Sequence, residues 1–260
     1  MSRKPRNLQP GYCYHVTVRC NNRAFNLARE ACKEVLLYAI HRGQKKYGFK
    51  LYALCIMSNH VHYLLQPAQA EDLPKIMHWL NWYTAMCFNR MLKRTGHFWE
   101  QRYYSDGFSP SDRERALNTL RYIHGNPKAA GIGGFFYDFS NYGSYERLTD
   151  DGLTVWHPAF LSLGQSLDDC AKKYKKFVAR YRPRPKSERR NSCWGDKLLV
   201  GHFILPKSHR KVSPGQLSLP LGRDYFPDVD SVAANPEISR VGNKFRSANR
   251  RPISVGELSP

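Results

Sequence analysis

The sequence predicts an α+β protein built on a ferredoxin-like βαββαβ antiparallel sheet, with one more helix after the sheet and a basic C-terminal extension. Three observations carry this. Segments with strand-like patterning lie at 12–20, 49–56 and 60–66. Long stretches with helical spacing of apolar residues follow the first and the third of them. Ser58-Asn59 marks a turn between the second and third, short enough for an antiparallel hairpin.

In the first strand Tyr14, Val16, Val18 and Cys20 face one way, and His15, Thr17 and Arg19 the other. Asn21-Asn22-Arg23 turns the chain. Asn26 is positioned to cap a helix running to about Lys46, with Leu27, Ala31, Val35 and Tyr38 at helical spacing. Gly48 stops it.

Phe49 to Ile56 supplies the second strand and His60 to Gln66 the third. His60, His62 and Leu64 share one face of the latter, and Val61, Tyr63 and Leu65 the other. Asp72 can cap a second helix, Leu73 to Lys93, with Ile76, Leu80, Tyr83 and Cys87 in one stripe and Gly96 beyond its end. Phe98 to Phe108 reads as the fourth strand with its following loop. A sheet of this order carries its helices on one face and leaves the other open for a ligand.

Ser111 and Glu114 have capping-box spacing for a third helix that ends near Gly125, before Pro127. Ala116, Leu120 and Ile123 form its apolar stripe. Tyr122 lies beside that stripe, in a position to face the open sheet.

After about residue 150 the texture changes. Residues 172–190 hold ten Lys/Arg and one acid, and residues 205–260 are rich in Pro, Ser, Gly and Asn. The expected organisation is a domain over 1–150, a basic, partly helical extension over 151–204, and a flexible tail over 205–260.

Composition narrows the partner. The chain has 41 Lys+Arg against 21 Asp+Glu, a formal charge of +20, which favours a polyanion, most simply nucleic acid. Aromatic residues at 13% tilt the choice to single strands, whose unstacked bases need flat partners. The seven scattered cysteines, with no C-x-x-C pair, suit a reducing compartment. The charged N-terminal segment has no apolar run behind it, and no stretch reaches the ~20 apolar residues of a membrane span. A cytoplasmic location is the expectation.

Two constellations bear chemistry. His60 and His62, two apart on a strand, present both imidazoles on one face and suit capture of a divalent metal. Tyr122 and Asn126, four apart on a helix, also share a face. Asn126 offers a carbonyl oxygen as a third ligand, and the Tyr122 phenol, whose pKa is about 10 in isolation, offers a nucleophile once a metal polarises its target. The same residues also read as interior hydrogen-bonding histidines, a packing tyrosine and a helix C-terminal asparagine. Arg19, Asn22 and Arg23 suit a phosphate grip or an ordinary polar turn. Trp99, Gln101 and Arg102 suit contact with a base or bracing of the site, and Trp99 equally suits the core.

Four segments together are more specific. Tyr14-His-Val-Thr-Val-Arg19, Met57-Ser-Asn-His-Val-His62, His97-Phe-Trp-Glu-Gln-Arg102 and Tyr122-Ile-His-Gly-Asn-Pro127 resemble the single-tyrosine HUH transposases, most closely the REP-associated tyrosine transposases, over about residues 10–145. The resemblance implies that His60 and His62 are the HUH metal ligands, that Asn126 completes the set, and that Tyr122 is the catalytic tyrosine. It implies Mg or Mn as cofactor, and single-stranded hairpin DNA such as repetitive extragenic palindromes as partner. Residue 58 is Ser where many relatives carry Pro. Relatives act as monomers or homodimers, and both stay open. The expected activity is cleavage and rejoining of DNA through a 5′-phosphotyrosine. The alternative is a regulator that binds hairpin DNA or RNA without cutting it.

Overall fold

A computed structural model describes residues 6, 8–100, 102–183 and 235–250. Four strands, β1 (Cys13–Arg19), β2 (Lys50–Ile56), β3 (His60–Gln66) and β4 (Tyr104–Phe108), form one sheet in the order β2-β3-β1-β4. Every neighbouring pair is antiparallel. This is the expected split arrangement: β1 enters the middle of the sheet, and the β2–β3 hairpin returns beside it after a helix.

Two long helices, α1 (Glu30–Tyr47) and α2 (Asp72–Met91), pack on one face. Val16, Val18, Val61, Tyr63 and Leu65 from the strands meet Leu36, Leu37, Ile40, Ile76 and Leu80 from the helices in one buried cluster. The alternation in β1 and β3 is what sends these side chains one way and the histidines the other. Gly48 closes α1 in the left-handed region at φ 65°, its N–H donating to the Gln44 carbonyl.

The helix starts differ from expectation. Asn26 belongs to a short 3₁₀ turn, Asn26–Ala28, and α1 begins at Glu30 with no side-chain cap. The Asp72 carboxylate pairs with Lys75 at 2.9 Å, so it does not cap α2. The third helix, α3 (Arg113–His124), is capped by Asp112, whose carboxylate accepts from the Arg115 N–H at 3.1 Å. Ser111 instead meets the Ser109 hydroxyl. Asp112 wins because a carboxylate is the stronger acceptor at the positive end of the helix dipole.

The second face of the sheet is largely covered, contrary to the expected open surface. α3 lies on it, followed by α4 (Asn126–Ala130), α5 (Tyr142–Arg147), α6 (Pro158–Leu161) and α7 (Leu167–Ala179). Tyr52, Leu64, Leu120, Ile123, Tyr145, Phe160, Tyr174 and Val178 form a second core there. Residues 151–179 therefore share a core with the sheet, and no physical break falls at 150. On α7 the basic residues Lys172, Lys173, Lys175 and Lys176 point outward, while Cys170, Ala171, Tyr174 and Val178 are buried. The rest of that basic run, 184–190, lies outside the described residues.

A buried polar chain fixes α3 on the sheet. His124 accepts from the Tyr174 hydroxyl at 2.7 Å and donates from Nε2 to Asn141 Oδ1 at 3.0 Å. Asn141 also accepts from the Leu54 N–H at 2.8 Å and donates to the Tyr52 carbonyl at 3.1 Å.

The segment expected to be a flexible tail contains a docked helix. α8 (Pro236–Asn249) packs on α1 through Ile238 and Phe245, and Arg246 pairs with Glu34 at 2.7 Å. Asn249 accepts from the Ser144 N–H at 2.7 Å and donates to Asp151 at 3.1 Å. Residues 205–234 and 251–260 lie outside the described residues. No described helix is long and apolar enough to cross a membrane.

Candidate active site

The uncovered part of the second face lies where β1, β3 and the C-terminal half of α3 converge. Strand register sets its floor: Thr17 opposes His62, Arg19 opposes His60, and His15 opposes Leu64 on one side and Asp106 on the other. Opposed residues share a face. The floor thus carries His15, Thr17, Arg19, His60 and His62 together.

Hydrogen bonds orient the two β3 histidines. Asn59 donates from Nδ2 to the Arg23 carbonyl at 3.3 Å, which turns its Oδ1 to His60 Nδ1 at 2.6 Å. A carbonyl oxygen only accepts, so His60 carries its proton on Nδ1 and leaves the Nε2 lone pair bare. His62 Nδ1 stands 3.1 Å from both His15 Nε2 and Thr17 Oγ1, which turns Nε2 outward, with its lone pair open in the tautomer that donates from Nδ1. The rings of His60 and His62 lie 4.9 Å apart, edge to face.

Electrostatics keep this cluster neutral. Burial lowers His60 to about 4, with the Arg19 charge adding to the effect. Burial holds His62 well below the usual range, helped by His60, His15 and Arg19. His15 is lowered to about 4 by burial against the opposing pull of Asp106. Neutral imidazole is the ligand form, and no proton need be displaced near neutral pH.

Tyr122 arrives from α3. Its ring meets His62 at 5.6 Å and His15 at 5.7 Å, both edge-on, while the residue stays 44% exposed. Its position beside the buried stripe of Ala116, Leu120 and Ile123 brings it to the sheet without burying it. One turn on, Asn126 donates from Nδ2 to the Tyr122 carbonyl at 2.8 Å. That satisfies a helix-end carbonyl and leaves Oδ1 as the acceptor of the side chain. No hydrogen bond joins Asn126 to His60 or His62. The donor chemistry of two outward-facing imidazole nitrogens and one amide oxygen fits a divalent ion that takes its remaining oxygens from water or phosphate. Among the described residues, no group of three or more His, Cys, Asp or Glu side chains forms a metal cage.

The chain from 9 to 126 matches the family model described as Transposase IS200 like. Over this stretch the chain is similar to the IS200-like transposases. The recognition read from the four motifs is borne out at that level. The matched segment ends at Asn126 and holds the whole histidine, tyrosine and asparagine set. The helices α5, α6, α7 and α8 lie beyond it. A solved structure described as "Structure of the REP associates tyrosine transposase bound to a REP hairpin" is similar at 18% identity with a TM-score of 0.47, over 56% of this chain and 84% of that one. No curated protein matches.

The remaining predicted residues divide. In the matched segment, Asn22 and Arg23 are exposed in the turn after β1, both in the left-handed region at φ 55°. The backbone at 98–100 pairs alongside the end of β1, with Asn21 N–H donating to the Phe98 carbonyl and Glu100 N–H to the Arg19 carbonyl, each at 2.8 Å. Arg102 follows this run, half-buried. Trp99 is a correction: it is buried against Phe88 and Phe98, and its indole N–H donates to Thr84 at 3.0 Å. It offers no face to a base. Gln101 lies outside the described residues. His15, Thr17 and Asn59 stood outside the predicted site. Only the period-two register with His62 and the adjacency of Asn59 to His60 could have marked them.

Proposed function

We propose that this protein is a DNA strand transferase that binds single-stranded hairpin DNA, cuts beside the hairpin and retains the cut end on Tyr122. The observation that carries the reading is the contact of the Tyr122 ring with His15 and His62, which sets a phenol against two oriented, neutral imidazoles. The +20 charge supports a polyanion, and the motif resemblance supports REP-like hairpins as its class.

In this reading His60 and His62, with Asn126, hold Mg or Mn, which polarises the scissile phosphate when bound. Tyr122 Oη attacks phosphorus as its proton passes to solvent. The P–O3′ bond breaks, the leaving oxygen takes a proton, and a 5′-phosphotyrosine with a free 3′-hydroxyl results. The phosphoester is conserved, so a 3′-hydroxyl can reverse the step onto another end. Arg19, Asn22, Arg23 and Arg102 face phosphate.

The test mixes full-length protein with labelled hairpin oligonucleotides bearing single-stranded flanks, in Mn or Mg, on a denaturing gel. A covalent band abolished by EDTA and by Tyr122→Phe is the expected result. Tight native binding with no cut strand in either metal would move the protein to the class of non-cleaving hairpin binders. Cleavage that survives Tyr122→Phe would make it a hydrolytic nuclease.

A further inference from the structure

We propose that Phe25 and Tyr104 are stacking platforms for unpaired bases of the DNA strand, one on each side of the histidine floor. The inference rests on the strand-transferase reading for its ligand and adds the residues that hold the bases. Among the described residues, three aromatic side chains are exposed: Phe25 at 59%, Tyr104 at 39% and Tyr122 at 44%. Tyr104 and Tyr122 lie on the histidine face, Phe25 lies in the loop beside its His60 end, and the other described aromatics are buried or half-buried. Core packing does not account for that segregation.

Each platform has a fixed relation to the site. Tyr104 opposes Thr17 across β4 and β1, and Thr17 opposes His62 across β1 and β3. The three share a face in one row, with Tyr104 two strand spacings, about 10 Å, from His62. Phe25 lies in the loop that follows β1. That loop is seated on the Ser58-Asn59 turn by the Leu27 N–H donating to the Ser58 carbonyl at 2.9 Å and by the Asn59 bond to Arg23. Asn59 is the same residue that orients His60. Phe25 thus stands at the His60 end and Tyr104 at the β4 edge.

Charge selects the occupant. Arg23 and Arg29 flank Phe25 and are exposed, and Arg19 lies at the adjoining strand end. Arg115 reaches the β4 face near Tyr104, where it pairs with Asp106 at 2.8 Å. Aromatic faces set among guanidinium groups fit an unstacked polynucleotide, whose phosphates take the charge and whose bases take the rings. A folded apolar partner would not need the arginines. Duplex DNA offers no open base faces.

The test measures binding of full-length protein in EDTA, so that cleavage is silent. Three probes are used: a blunt hairpin, the same hairpin with a single-stranded flank, and an unstructured oligodeoxythymidylate, the last two carrying single 2-aminopurines. Phe25→Ala and Tyr104→Ala are each expected to weaken the flanked hairpin and the oligodeoxythymidylate roughly 5- to 100-fold. Both should reduce 2-aminopurine quenching at one position each and leave the blunt hairpin unchanged. Phe25→Tyr and Tyr104→Phe should restore binding and quenching. Equal loss on the blunt hairpin, or unchanged affinity for both single-stranded probes, overturns the assignment. Failure of the wild type on hairpins, with Phe25-dependent binding of the oligodeoxythymidylate, would sink the hairpin reading and leave the platforms standing. A wild type that binds no single-stranded probe overturns both.

Discussion

His15 Nε2 stands 3.1 Å from His62 Nδ1, and the two rings are stacked at 26°. The contact crosses from β1 to β3 and fixes which nitrogen of His62 faces outward. On the strand-transferase reading, His15→Ala is predicted to slow Tyr122 adduct formation ~10- to 100-fold, the usual cost of losing a group that orients a metal ligand. Adduct kinetics at saturating Mn would show it. An unaltered rate with unaltered Mn dependence would demote His15 to packing.

Asn59 tests the same logic on His60. With Asn59→Ala the Nδ1 proton loses its acceptor, and the tautomer with Nε2 protonated becomes accessible. Mn affinity, read by isothermal titration, should fall ~10- to 100-fold while the melting temperature stays close to wild type. Undiminished affinity would mean that the 2.6 Å contact plays no part in ligation.

The helix α8 is a structural claim with its own test. Phe245 is fully buried against α1, and Phe245→Ala should cost about 3–5 kcal/mol in urea unfolding. A change within about 0.5 kcal/mol would show that the helix is not part of the folded unit.

Acid should unfold the protein through buried histidines outside the site. His157 is fully buried and lowered to about 4 by desolvation, and its Nδ1 accepts the Ala159 N–H at 3.0 Å. The unfolded chain takes up that proton near pH 6.5, the folded one only near 4. Stability is therefore full above about 6.5 and is lost as pH falls towards 4. His124, also lowered to about 4 by burial, adds to the same window. Melting temperature against pH should decline there, and the decline should shrink in His157→Gln. A flat profile from 7 to 4 would contradict the burial of both groups.

The sheet was legible because β1 and β3 alternate strictly, and that alternation also placed His60 and His62 on one face. Tyr122 was legible from its offset to the Ala116–Leu120–Ile123 stripe. What the sequence concealed depends on distant partners. Whether Trp99 is platform or core is decided by Thr84 and Phe88, and whether 236–249 folds is decided by α1. Asp112 and Ser111 are both good caps, and the carboxylate's stronger pull on the helix dipole chose between them. The cover over the second face comes from short helices such as α5 and α6, too brief for periodicity to mark.

The bond from Asn126 to the Tyr122 carbonyl ties the two residues together along the backbone. On the strand-transferase reading, a roll of the helix that lifts the Tyr122 backbone from the sheet lifts Asn126 with it, so attack and anchorage are coupled through one hydrogen bond.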